Sequence, residues 1–204
     1  MPVLTTKQRQ YTDSDVLRIL FTSTARVAVL RVFMLDPGRA YYQRQLEEVT
    51  GVPIRGVQRE LERFAEAGLL YARREGNRTY FQVDVDHPLF PELRSLVLKT
   101  ADEADRLHGR LAMDPAVRLA FLRRKEREAL VVLSPGASAS FENESGFSIE
   151  SMSSEFFVKR LAERPESLAG FLKDGEDLLG RREDVLWRRI EVAGFDVKKG
   201  RGVP

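Results

Sequence analysis

The stretch from Gln43 to Asp84, "QRQLEEVTGVPIRGVQRELERFAEAGLLYARREGNRTYFQVD", leaves this chain few ways to fold. Its first eight residues have a helical pattern and end at Gly51, a residue suited to the left-handed position that closes a helix. Pro53 then falls where a new helix begins, because the first turn makes no use of the N–H that proline lacks. Over the helix predicted at 53–67, Val57, Leu61, Phe64 and Ala65 recur at spacings that line up one apolar stripe, and Gly68 ends it. The runs "LLYARRE" and "RTYFQVD" flank "GN", two residues that tolerate positive φ, which predicts a β-hairpin. Tyr80 and Phe81 alternate across its second strand, so one of them belongs to the core. Two short helices joined by a tight turn make a helix-turn-helix arrangement, here followed by a hairpin.

The flanks are predominantly helical. Thr12 to Ser14 offer N-caps for "DVLRILF", and Thr22 to Thr24 offer a restart through "ARVAVLRVFML", a helix apolar on most of its surface. Pro37 and Gly38 break it before a short extended "AYY". Beyond the hairpin, one long helix is predicted from Pro91 to about residue 111. Leu93, Leu96, Val97, Ala101, Ala104 and Leu107 form its stripe, which fits either a dimer seam or packing within one subunit. Pro115 opens a predicted short helix, "AVRLAFLRRKERE"; "ALVVL" at 129–133 reads as a buried strand, "SPGASAS" as a loop and "FSIESM" as a second strand. Ser153 or Ser154 caps "SSEFFVKRLAER", and "ESLAGFLKD" and "EDVLWRRIEVAGF" predict two more helices around "GEDLLG". The expected class is α+β, mostly helical. The expected division is 12–112, 113–197 with a small α/β domain, and a flexible basic tail at 198–204.

Composition narrows the function. The chain has 204 residues, 33 basic and 31 acidic side chains and a net charge of +2, so a polyanion-binding surface has to be local. It has no cysteine, which removes disulfides, thiolate metal sites and cysteine nucleophiles together. With two histidines, His87 and His108, a transition-metal site is not expected, and no cofactor is. No stretch approaches the roughly 18 apolar residues of a membrane span, and "MPVLTTKQRQYTDSD" lacks a secretory pattern, so the expected location is the cytoplasm, away from membranes.

Between Gly51 and Phe81 six arginines face four glutamates, and every one of those acids lies at or beyond position 60. Arg55, Arg59 and Arg63 are spaced by four on the predicted helix, so they share one face, while Arg73, Arg74 and Arg78 sit at the hairpin tip. A solvated stripe balanced by Glu60, Glu62 and Glu66 is one reading. The other is duplex DNA: a helix fits the major groove, and a cationic hairpin beside it reaches phosphate or the minor groove. Arg55, Gln58 and Arg59 are then candidates for base contacts, and Arg63, Arg73, Arg74 and Arg78 for phosphate. Pro53 opens the helix; Arg44, Asn77, Tyr42 and Thr50 are secondary candidates.

Residues 19–100 resemble a winged-helix domain of the ArsR-like transcription-regulator superfamily. "YYQRQLEEVTGVPIRGVQRELERFAEAGLLYARREGNRTYFQVDVDHPLFPELRSLVLKT" is similar to a prokaryotic subgroup often attached to nucleotidyltransferase-like domains. The resemblance implies that 53–67 is a recognition helix and 73–78 a wing, and that the protein is a homodimer, often joined through terminal helices. "SSEFFVKRLAERPESLAGFLKDGEDLLGRREDV" resembles the C-terminal part of those nucleotidyltransferase-like domains. Such enzymes carry a Gly-Ser motif and an Asp-x-Asp pair that holds the metal bridging nucleotide phosphates. Neither is present: "VVLSPGASAS" reads as a turn, and Glu142, Glu144 and Glu150 lack paired aspartates. Asp174, Glu176 and Asp177 read as a solvated loop or a cap. The resemblance therefore implies a shortened remnant without catalysis. The expected protein is a sequence-specific double-stranded DNA-binding regulator, a repressor, with an unknown small-molecule or protein effector. A nucleotidyltransferase-like enzyme and a protein-interaction module are the alternatives.

Overall fold

A computed structural model describes residues 13–137, 146–200 and 203. The Thr12 cap, Glu142, Glu144 and the end of "SPGASAS" lie outside these residues. Among them the chain is α+β, with two sheets.

Five helices and one sheet surround the first core. Helix α1 (Asp13–Phe21) leads into α2 (Thr24–Leu35), which starts at Ser23, whose side chain accepts from the Arg26 amide. Val27, Val29, Leu30, Phe33, Met34 and Leu35 are buried on α2, which makes it the hub of this half. Strand β1 (Tyr41–Tyr42) runs into α3 (Gln43–Thr50), and Gly51 closes that helix at φ +66°. Helix α4 (Ile54–Glu66) follows after Val52 and Pro53. Strands β2 (Leu70–Glu75) and β3 (Arg78–Val83) pair antiparallel around Gly76 and Asn77, with Glu75 opposite Arg78, and β1 adds to the far edge of β3. Phe81 faces the core and Tyr80 packs edge-on against Tyr42.

The long helix expected from Pro91 to 111 is two helices, α5 (Phe90–Lys99) and α6 (Glu103–Met113). Thr100 Oγ donates back to the carbonyls of Leu96 and Val97, and Asp102 caps the next helix by accepting from the Asp105 amide at 2.8 Å. The bend separates two sets of partners: Phe90 and Val97 join the first core, whereas Ala104, Leu107 and Leu111 join a core beneath the second sheet. Most of the stripe, which fitted either a dimer seam or packing within one subunit, is therefore buried within the chain. Gly109 lets the helices approach, since a Cβ there would stand 2.8 Å from the Leu98 side chain.

The second sheet has the order β6 (Ser148–Ser153), β5 (Glu128–Leu133), β4 (Val117–Arg123), β7 (Glu176–Asp177), β8 (Lys198–Lys199). Its central strand, β4 (Val117–Arg123), occupies residues expected to be helical. A continuous apolar run suits a buried helix or a strand covered on both faces, and here helices cover both faces of the sheet. Leu119 and Phe121 point into one core with the helices that follow, while Ala120 and Leu122 point into the other with α6. A turn at Arg124–Arg127 leads to β5 (Glu128–Leu133), antiparallel to β4, and β6 (Ser148–Ser153) lies parallel to β5. Ser153 caps α7 (Ser154–Glu163). A 3-10 turn at Pro165–Leu168 and α8 (Ala169–Lys173) come next, then β7 (Glu176–Asp177) and α9 (Val185–Val192). Of the tail expected to be flexible at 198–204, Lys198–Lys199 form β8, parallel to β7, and Val203 is buried, as is Val197 just before it.

Polar ties join the halves. Arg39 donates to the carbonyls of Leu179 and Gly180, and Lys199 Nζ lies 3.4 Å from the Glu48 carboxylate on α3. His108 is buried at this junction with Asp36, and its burial lowers its pKa from 6.5 to about 4. No described helix is long and apolar enough to cross a membrane.

Candidate nucleic-acid interface

The charge pattern of α4 depends on where Glu60 points. Counting from Val57, positions 60, 61 and 64 are i+3, i+4 and i+7, so the apolar stripe carries Glu60 inward with Leu61. Its side chain is 0% exposed. There it accepts from Arg26 Nε at 2.9 Å and Arg63 Nη1 at 3.0 Å, with Ser23 Oγ at 3.4 Å and Arg59 Nε at 3.7 Å. In the reading of a balanced solvated stripe Glu60 offset the arginines from the surface; instead it is an internal anchor that ties α4 to the start of α2. The helical spacing of 57, 60, 61 and 64 carried the signal.

With Glu60 turned inward, the first two turns of α4 expose Arg55 and Arg59 and no acid. Arg59 keeps 60% of its side chain exposed and Arg63 keeps 50%, although Arg63 leans toward Glu60. Gln58 is half-buried, and its amide donates to Gln43 Oε1 at 3.0 Å, joining α3 to α4. Glu47 accepts from the Ile54 amide at 2.9 Å and so satisfies one of the unpaired N–H groups at the helix start. Pro53 precedes that start at φ −54°. Thr50 donates back to the Leu46 carbonyl and accepts from the Val52 amide, which ties it to the α3 terminus, and it is half-exposed there. Arg44 is exposed on α3.

On the hairpin, Arg73, Arg74, Asn77 and Arg78 are all exposed. Arg73 pairs with Glu75 at 2.8 Å with 70% of its side chain still in solvent, a pair of little energetic weight. The Arg78 guanidinium lies 4.6 Å from the centroid of the Tyr42 ring, the residue that precedes α3. This cation–π contact near the tip and the β1–β3 pairing hold the hairpin to the residues that lead into the first helix of the pair. The structure therefore links the hairpin to α3, and α3 to α4 through Gln43–Gln58 and Glu47–Ile54.

In the C-terminal half, Asp174 and Glu176 do not form a metal site with Asp177. Asp177 is 1% exposed, accepts from the Gly180 amide at 2.8 Å and lies 3.3 Å from Arg182 Nε; its carboxyl pKa is raised, chiefly by burial. Expected in a solvated loop or as a cap, it accepts a backbone amide as a cap does, but from a buried position that braces the 177–180 turn. Glu176 pairs with Arg124 and Glu150 with Arg160. Among the described residues no group of three or more histidine, aspartate or glutamate side chains could hold a metal ion. Comparison of the chain with protein families, with curated proteins and with solved structures finds no match.

Proposed function

We propose that this protein is a sequence-specific double-stranded DNA-binding regulator of transcription, a repressor. Residues 19–100 act as the winged helix-turn-helix domain that the sequence resembles in ArsR-like regulators. Helix α4 enters the major groove with Arg55 and Arg59 toward base edges, and the β2–β3 wing places Arg73, Arg74 and Arg78 toward the backbone. The observation that carries this reading is the burial of Glu60, which leaves the first half of α4 cationic outside. Gln58, already bonded to Gln43, positions the two helices in this reading, and Arg63 contributes charge from the far end of α4. A homodimer belongs to the same proposal, since two-fold protein symmetry matches paired half-sites on DNA. The C-terminal half takes the effector or partner.

The test is duplex binding by the purified protein at roughly 50 and 200 mM salt, including DNA from upstream of its own coding region. Affinity should fall steeply with salt. Arg55→Ala or Arg59→Ala should relax preference at one base pair by about 1–3 kcal/mol, while Arg74→Ala should weaken all duplexes alike. Absence of binding at both salt concentrations would sink the proposal, and light scattering of the free protein tests the dimer.

A further inference from the structure

The outer sides of α5 and α6 border an open, shallow groove of about 730 Å³ that the DNA reading does not use. Its walls are apolar: Phe90 and Pro91 come from the start of α5, Leu98 from its end and Met113 from the end of α6. Three cations also line it, Arg94 and Lys99 from α5 and Arg106 from α6, and no acidic side chain does. That volume falls within the range of small-molecule sites.

Arg94 gives the groove a fixed polar point. Its Nη2 donates to the Gly109 carbonyl at 2.6 Å, which pins the guanidinium between the helices, while its Nε is buried without a partner. A buried donor without an acceptor is uncommon in a native structure, and it leaves the Arg94 charge incompletely hydrogen-bonded within the protein. Met113 is 48% exposed, so the apolar wall is open to an incoming molecule.

We propose that this groove binds an organic anion with an apolar body, of the class of a medium-chain or aromatic carboxylate. The body lies against Phe90, Leu98 and Met113, and the carboxylate sits among Arg94, Lys99 and Arg106. Guanidinium groups present donors in the planar geometry a carboxylate accepts, and the absence of acids leaves the three positive charges uncompensated within the groove. The site stands independently of DNA binding.

Decanoate is the probe, titrated calorimetrically into the full chain without DNA, with neutral decanamide as the isosteric control. One saturable site is expected for decanoate, with decanamide at least tenfold weaker. Lys99→Glu/Arg106→Glu, which reverses two exposed charges without touching a core residue, should also weaken decanoate at least tenfold. Met113→Asp should weaken it through the apolar wall. No decanoate binding to the wild type overturns the proposal, as does equal affinity for decanoate and decanamide or equal affinity in wild type and double variant. Sedimentation of the same samples gives one further overturning result: a wild-type dimer that Met113→Asp dissociates, with no decanoate heat, assigns the groove to a second copy of the chain.

Discussion

Replacing Glu60 by glutamine should cost far more than its place on a charged helix suggests. The carboxylate is fully buried, and its nearest partners, Arg26 and Arg63, hold it at 2.9 and 3.0 Å while 30% and 50% of their side chains stay in solvent. A unit-charge pair about 4 Å apart at an effective dielectric of about 20 is worth roughly 4 kcal/mol before desolvation is subtracted. Much of that is returned in Glu60→Gln, because the arginines re-hydrate and the buried carboxylate no longer has to be desolvated. What remains is the lost charge-assisted bonding plus an amide NH2 facing guanidinium donors with no acceptor, about 1–3 kcal/mol for that group alone. The expected net loss is about 2–4 kcal/mol. With a urea slope of about 2 kcal/mol/M, the midpoint should fall by roughly 1–2 M. Far-UV circular dichroism is the suitable probe, because Trp187 lies in the core of the other half. Glu62→Gln removes the same charge from an exposed position on the same helix and should stay within about 0.5 kcal/mol of wild type. A Glu60→Gln shift no larger than that of Glu62→Gln, or one abolished by 1 M NaCl, would refute the assignment of a buried anchor.

Two further outcomes follow from single positions. His108 is held neutral by burial, with a folded pKa of about 4 against 6.5 unfolded, so the unfolded chain binds the extra proton between those values. Its contribution is present above pH 6.5 and is lost as pH falls toward 4, at roughly 1.4 kcal/mol per pH unit. Stability curves of wild type and His108→Leu should therefore converge or cross as pH falls through that window, and parallel curves would contradict the argument. Gly51→Ala should destabilise by about 1 kcal/mol in thermal or urea unfolding, since φ is +66° and a Cβ meets nothing within 4 Å, leaving backbone strain as the whole effect.

Local signals in the sequence determined the order of elements from α2 to β3. Gly51, Pro53, Gly68 and Gly76-Asn77 each impose a backbone conformation within two or three residues of themselves, and no distant partner is needed to interpret them. The same locality explains Ser23 and Ser153 as caps. The arginine spacing on α4 and the hairpin was equally visible, being a property of one helix and one turn.

Tertiary structure decided the rest, wherever a segment's partner lies far along the chain. Residues 117–123 form a strand because β5 and β7 flank them and both sheet faces are covered; the same apolar run alone also suits a buried helix. The helix break at Thr100–Asp102 is written locally in the Asp102 cap, yet it is needed because α5 and α6 serve different cores. Glu60 illustrates both cases. Its helical spacing placed it inward, but a carboxylate can occupy that position only because Arg26, 34 residues away on α2, meets it there. Likewise β8 is ordered by pairing with β7, and Asp177 is buried because the 177–180 turn folds beneath Arg182. A single chain's pattern reports which residues prefer to be inside, whereas the burial of a charge depends on the arrival of its counter-charge, which only the folded arrangement supplies.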